Sequence, residues 1–223
     1  MRGFEKVDKV LEWHRNLNIE KTIKALHKRG YKAQSFASKE ECTSYLMEIV
    51  SEDLTVSCGG SATIAQMSLL EKLEKKGVKV ISSFRSGLSK EEQFEEMKKG
   101  MLVDVFFSGI NAITTDGLLY FIDGVGNRVS SIIFGPKKTI LIVGDNKIVH
   151  SIEEAKRRVK EIAAPMNIRR YYKEGKVFPP CAKTGVCTQC NPPLSACNIE
   201  VMLNAKPSAS DIEVLIIAEH LGF

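Results

Sequence analysis

The chain has 223 residues, 43% hydrophobic and 26% charged, with a net charge of +5. That is ordinary globular composition, long enough for one sizeable core. No apolar run approaches the roughly 18–20 residues a bilayer span needs, and MRGFEKVDKVLEW at the start lacks the apolar region of a secretory signal, so a cytoplasmic protein without a membrane partner is expected.

Lysine and arginine are interleaved with glutamate, as in EKLEKKG and EEAKRRVKE. That pattern marks solvated helix faces and argues against a nucleic-acid groove. A mild positive field favours small anionic molecules.

Residues 4–29 read as a helix with a break near Asn16-Leu17-Asn18, and Gly30 as its C-terminal cap. This arm, residues 1–30, packs either on the rest of the chain or on a second subunit, which leaves a homo-oligomer open. Ser38-Lys-Glu-Glu41 has the form of a capping box and opens a second helix with Cys42 on its apolar stripe. Leu54 to Cys58 reads as a strand, Gly59-Gly60 as a turn, and Ser61 as the N-cap of a helix running to Lys76. Val78 to Ile81 is the next strand, a second S-x-x-E start at Ser89 leads a helix to Lys99, and Val103 to Phe107 is a buried strand. Alternation of this kind predicts right-handed crossovers, hence an α/β fold with a mostly parallel sheet and helices on both faces.

Asp116-Gly117 and Asp123-Gly124 are turn signals on either side of Leu118 to Ile122, an apolar run that reads as another buried strand. Val129 to Phe134 follows Gly124-Val-Gly-Asn-Arg128, and Thr139 to Val143 is another buried strand. Ser151 caps a helix that ends near Pro165. After an aperiodic stretch from Gly175 to Asn198, the alternation at Ile199, Val201 and Leu203 and the run Ile212 to Ala218 predict two strands paired as a C-terminal hairpin at one edge of the sheet. The expected organisation is therefore an arm (1–30), an α/β domain (31–175) and a cysteine-rich loop with its hairpin (176–223).

Three constellations carry candidate chemistry. Gly59 and Gly60, with the hydroxyls of Ser61 and Thr63, sit between a strand and a helix start. Such a turn either aims backbone N–H groups at an anion or is a tight turn with an N-cap. Asn111, Thr114, Thr115, Asp116, Asp123, Asn127 and Arg128 form the second set, with Gly126 beside them. Either aspartate offers a base or a positioning acid, and Arg128 offers a fork for a carboxylate. The bland alternative is that Asp-Gly makes turns and Arg128 pairs with a nearby acid. Lys137, fixed after Gly135-Pro136, offers a further anchor or a plain solvated charge. The third set is Cys181, Cys187, Cys190 and Cys197. Cys-x-x-Cys spacing suits an iron–sulfur cluster first, a structural zinc next, and disulfides or free thiols otherwise.

Several short motifs in order resemble the LUD domain, the domain of lactate-utilisation proteins. They are Cys58-Gly-Gly-Ser-Ala-Thr63, Asn111-Ala-Ile-Thr114 with Asp116-Gly117, and Asp123-Gly124 with Gly126-Asn-Arg-Val129. Phe134-Gly-Pro-Lys-Lys138, Asn146-Lys-Ile-Val149, Ala163-Ala-Pro-Met-Asn167, Pro180 to Gly185 and Glu219 to Phe223 follow. The resemblance implies a three-layer fold like that of the sugar-phosphate isomerase and CoA-transferase superfamily, with ligands over the carboxyl ends of the strands. It also implies a part in oxidising lactate to pyruvate beside iron–sulfur partner subunits; the alternative is a non-redox protein that takes a sugar phosphate or a CoA-like anion. Gly59–Thr63, Asn111–Gly117 and Gly124–Arg128 are then expected to line one pocket.

Overall fold

The computed structural model describes residues 6–223, so the expected start of the arm at residues 4 and 5 lies outside the described residues. With elements numbered in chain order, the central sheet holds β1 (Lys32–Phe36), β2 (Thr55–Cys58), β3 (Lys79–Ile81), β4 (Val105–Gly109), β7 (Lys138–Gly144) and β10 (Ile212–Ile217). Its order is β1-β10-β7-β4-β2-β3 and every pair is parallel. A second sheet, ordered β8-β5-β6-β9, is built from β5 (Ala112–Thr114), β6 (Leu119–Asp123), β8 (Ile148–Val149) and β9 (Ile199–Leu203).

Strands of a covered parallel sheet are buried on both faces and read as continuous apolar runs. In β10 the whole segment IEVLII is buried. Ile212, Val214 and Ile216 enter one core, and Leu215 and Ile217 the other. On the first face lie α2 (Lys39–Ile49), α3 (Ala62–Gln66) and α4 (Leu69–Lys76), contributing Cys42, Leu46, Ile64, Leu69 and Leu73. On the second face lie α1 (Val7–Lys28), α6 (Asn127–Ile133) and the smaller sheet, contributing Leu26, Ile113, Leu119, Phe121, Val129 and Ile132. The outer side of the smaller sheet is covered by α7 (Ile152–Arg158) and the turn that follows it, through Ala155, Val159 and Ala164 against Ala112 and Tyr120. At the β3 side, α5 (Lys90–Gly100) opens with the capping box expected at Ser89, whose hydroxyl and the Glu92 carboxylate each bond the other's backbone N–H.

Several expectations are corrected. The two C-terminal strands form no hairpin: β9 pairs antiparallel with β6, while β10 lies between β1 and β7. A run with six buried residues has no polar face to present at an edge, so it takes a central place. The helix expected from Ser61 to Lys76 is split where Ser68 turns left-handed (φ 48°). α1 runs unbroken through Asn16-Leu17-Asn18. The helix after Ser151 does not end near Pro165; it widens into a π turn at Val159–Ala163 and resumes as α8 (Ala164–Arg169). Pro165 has no N–H to give the carbonyl four residues back, and the wider turn accommodates that loss. Among the described residues no helix is long and apolar enough to cross a membrane.

Candidate functional site

Parallel strands end together, so the loops that follow them meet at one edge of the sheet. The segments after β2, β3, β4, β7 and β10 supply Gly60 and Ser61, Phe84, Asn111, Lys147 and Phe223 to a single cavity of about 340 Å³. Asp123 and Arg128, from the end of β6 and the first turn of α6, close one side, and Arg170, just after α8, closes another.

Arg128 is the best-fixed cation. Its Nε donates to Asp123 Oδ2 at 3.2 Å, and its Nη2 donates to Asn111 Oδ1 at 3.0 Å and to the Ile122 carbonyl at 2.5 Å. Nη1 has no acceptor among the described residues. Asp123 is itself held by the N–H groups of Val125 and Gly126, at 3.3 and 3.2 Å. Gly59 lets the arginine stem run against the backbone: a Cβ there would stand 3.0 Å from Arg128 Cγ.

Behind this lies Lys147, 3% exposed, with its Nζ 2.8 Å from Thr63 Oγ1. Gly222 backs onto it, since a Cβ at that position would come 2.9 Å from the amine. Burial, then the nearby Arg158 and Arg128 guanidiniums, push the Lys147 ammonium down to about 7. Arg158 is also buried and donates to the Asn111 carbonyl at 2.7 Å and the Asn146 carbonyl at 3.1 Å; burial lowers it to about 10. Arg170 donates to the Gly60 carbonyl at 2.8 Å and stacks on Tyr171 at 4.6 Å. The cavity wall thus carries Arg128, Lys147 and Arg170 against one carboxylate, Asp123, which Arg128 already pairs. Such a surplus of cations suits an anion.

The expected residues separate by which end of a strand they occupy. Gly60, Ser61, Asn111, Asp123, Asn127 and Arg128 line the cavity, with Gly59 against Arg128 and Gly126 capping α6 beside them. Thr63 is fully buried behind the wall as the partner of Lys147. Ser61 Oγ accepts the Ile64 N–H, so this hydroxyl caps α3, which has only five residues.

Thr114 and Asp116 lie elsewhere. The Thr114 hydroxyl bonds the Asp116 carboxylate, which pairs with Arg29 at 2.9 Å in a separate cleft beside Lys21, Lys24 and Lys28. They precede β6 whereas Asp123 ends it, so the two aspartates stand at opposite ends of one strand. Lys137 precedes β7, at the far edge of the sheet, and pairs with Asp104 at 2.7 Å.

All six cysteines are free. Cys181 is buried at the start of α9 (Cys181–Thr184), the Cys187 N–H bonds the Lys160 carbonyl at 3.2 Å, Cys190 is half-buried, and Cys197 reaches the cavity. Among the described residues no group of three or more His, Cys, Asp or Glu side chains is placed to hold a metal ion. Burial, then the neighbouring Cys190 and Cys187 thiols, raise Cys181, and burial, then Cys181, Cys187 and Cys190, push Cys197 up to about 11, so the four thiols stand near one another. Cys58, adjoining Gly59, is buried, which pushes its thiol up to about 12 and leaves it a poor nucleophile.

Sequence reasoning left Lys147, Arg158 and Arg170 out of the site. Lys147 follows a buried strand in Gly144 to Lys147 and carried that signal. Arg158 and Arg170 lie in basic helical stretches that read as solvated, and nothing local distinguishes them.

Against known proteins, the LUD domain family matches residues 19–217. No curated protein matches the chain. The crystal structure of a DUF162 family protein from Deinococcus radiodurans superposes with a TM-score of 0.51 at 14% identity, covering 91% of this chain and 98% of that one. Ribose 5 phosphate isomerase A from Neisseria gonorrhoeae gives a TM-score of 0.31 at 18% identity over 58% of this chain and 65% of its own, too loose to bear on function. With the family match running from within α1 to the end of β10, this chain belongs to the LUD domain family.

Proposed function

We propose that the strand-end cavity binds a small carboxylate and that the protein serves in oxidation of lactate to pyruvate. The guanidiniums around the cavity support the first part: Arg128 and Arg170 face one side-chain carboxylate, Asp123, that Arg128 already pairs. The free Nη1 of Arg128 and the Asn127 side chain supply directed donors to such a group. Membership of the LUD domain family supports the second part. Lactate gives pyruvate by losing two electrons and two protons. The chain shows no flavin or nicotinamide motif, so an iron–sulfur or flavin partner subunit takes the electrons while this chain holds the anion.

A sugar phosphate or CoA-like anion is a second reading. An adjoining cavity of about 300 Å³ shares Gly60, Ser61, Phe84, Arg170 and Tyr171 with the first and leads on past Leu70, Glu71 and the Arg85–Glu74 ion pair. A longer ligand would occupy both.

Calorimetric titration of the full chain tests these readings. Pyruvate and L-lactate should bind, and Arg128→Gln should weaken both by at least about tenfold, the loss of one charge-assisted contact. If neither binds while coenzyme A does, the second reading replaces the first. If no anion binds, or Arg128→Gln changes nothing, the anion site is wrong.

A further inference from the structure

Lys147 does not fit the pattern of a simple anion anchor. Such an anchor gains from being charged, and a charged amine gains from a carboxylate beside it. Lys147 is nearly fully buried, meets no carboxylate within ion-pair distance among the described residues, and bonds the neutral hydroxyl of Thr63. Arg128 and Arg158 stand near it from two different elements, α6 and α7. Cations placed next to an amine, together with removal from water, disfavour its protonated form and leave its lone pair available. That arrangement is how an enzyme prepares a lysine for attack on a carbonyl.

Lys147 also lines the cavity that Arg128 lines. Arg128 stands close enough to Lys147 to act on its charge, so a ligand whose carboxylate meets the Arg128 fork brings its adjacent carbons toward the amine.

We propose that Lys147 is a catalytic amine that captures the carbonyl carbon of a 2-oxo carboxylate as a Schiff base. This rests on the anion reading of the same cavity. The Nζ lone pair attacks C2, a C–N bond forms, and the carbonyl oxygen takes up a proton. The carbinolamine then loses that oxygen as water, the two hydrogens coming from the former amine, and a C=N bond remains; no electrons are gained or lost. Thr63 is a positioning residue. Its hydroxyl lies 2.8 Å from Nζ and 3.3 Å from the Leu221 carbonyl, so it fixes the direction of the lone pair and stands ready to relay a proton.

Borohydride trapping tests the proposal. The full chain is incubated with pyruvate and sodium borohydride, then digested and mapped by mass. The expected result is a reduced adduct on Lys147 at close to one per chain. An excess of L-lactate, which has no carbonyl to trap, should compete it away. Lys147→Arg, which keeps the charge, should lose the adduct. Wild-type mapping decides the matter even if that variant fails to fold. Pyruvate that binds by calorimetry yet gives no adduct, or adducts spread over surface lysines and insensitive to lactate, overturns the Schiff base and leaves the anion site standing. Absence of any anion binding overturns the anion site itself, and the Schiff base with it.

Discussion

A lysine buried beside two guanidiniums is held against its own charge. In the unfolded chain Lys147 titrates near 10.4, and in the fold near 7. Between those values the unfolded state binds more protons, so stability rises with pH across that window. Near neutral pH the wild-type protein carries a cost that Lys147→Met would remove. The variant should be more stable at pH 7 by up to about 4 kcal/mol, with the gap to wild type shrinking toward pH 10. Denaturant melts at pH 7, 8.5 and 10 would show it, and a variant less stable at pH 7 would refute it. At this scale the sequence revealed side-chain chemistry but not direction. Asn111, Asp123 and Arg128 were legible as a polar set at turns. Asp116 and Lys137 looked equivalent to them, because a turn before a strand and a turn after one carry the same residues. Only the direction of β6 and β7 sends these two to the other end. The cysteine quartet was legible as spacing, and the fold does gather its thiols near one another, although among the described residues no three are placed to hold a metal ion.

Local elements were legible where their signals are strong. The capping box at Ser89 formed as its spacing requires, and Ser38 and Ser151 also cap helices, accepting from Glu41 and Glu154. Ser89→Ala should therefore cost about 1 kcal/mol in a thermal or denaturant melt. The break between α3 and α4 was not legible. Ser68 is an ordinary helix-tolerant residue, yet it adopts φ 48° so that Ile64 and Met67 on one side, and Leu69 and Leu73 on the other, reach the same core. Burial outweighs the backbone preference. Ser68→Gly should raise stability by several tenths of a kcal/mol up to about 1 kcal/mol, because glycine adopts that conformation without steric cost. A loss of stability would mean that the serine hydroxyl matters more than the backbone. Of the smaller sheet, β6 and β9 were legible as strands but β5 and β8 were not: β5 has three residues and β8 has two, too short for any period to show. β1, with its mixed burial pattern, was hidden in the same way.

Across the whole molecule, the two edges of the central sheet carry different electrostatics. The edge where the strands begin is neutralised. There Lys32 pairs with Asp211 at 3.0 Å, Lys137 with Asp104 at 2.7 Å and Lys138 with Glu213 at 2.6 Å. The edge where they end keeps its surplus of cations. Glu213 is the keystone of the first edge. It is buried in β10 and also accepts from Tyr45 of α2 at 2.9 Å and Gln34 of β1 at 3.0 Å, so one carboxylate joins three strands and a helix. Burial pushes its pKa up, but the Lys138 ion pair and these hydrogen bonds outweigh that and hold it below the ordinary glutamate value. A carboxylate lowered in the fold adds stability that is fully present above its unfolded pKa of about 4.3 and is lost as pH falls through the folded value. The Lys137 ion pair and the Thr55 hydrogen bonds likewise hold Asp104 well below the usual range. Acid should therefore attack the scaffold edge. Unfolding free energy should fall as pH drops below about 4, while pyruvate affinity, which depends on the Arg128 and Arg170 guanidiniums, should persist wherever the chain stays folded. Glu213→Gln should be less stable than wild type at pH 7 and converge with it near pH 3, with anion affinity at pH 7 unchanged. A variant whose deficit stays constant from pH 7 to pH 3 would show that packing, and not the charge of Glu213, ties that edge together.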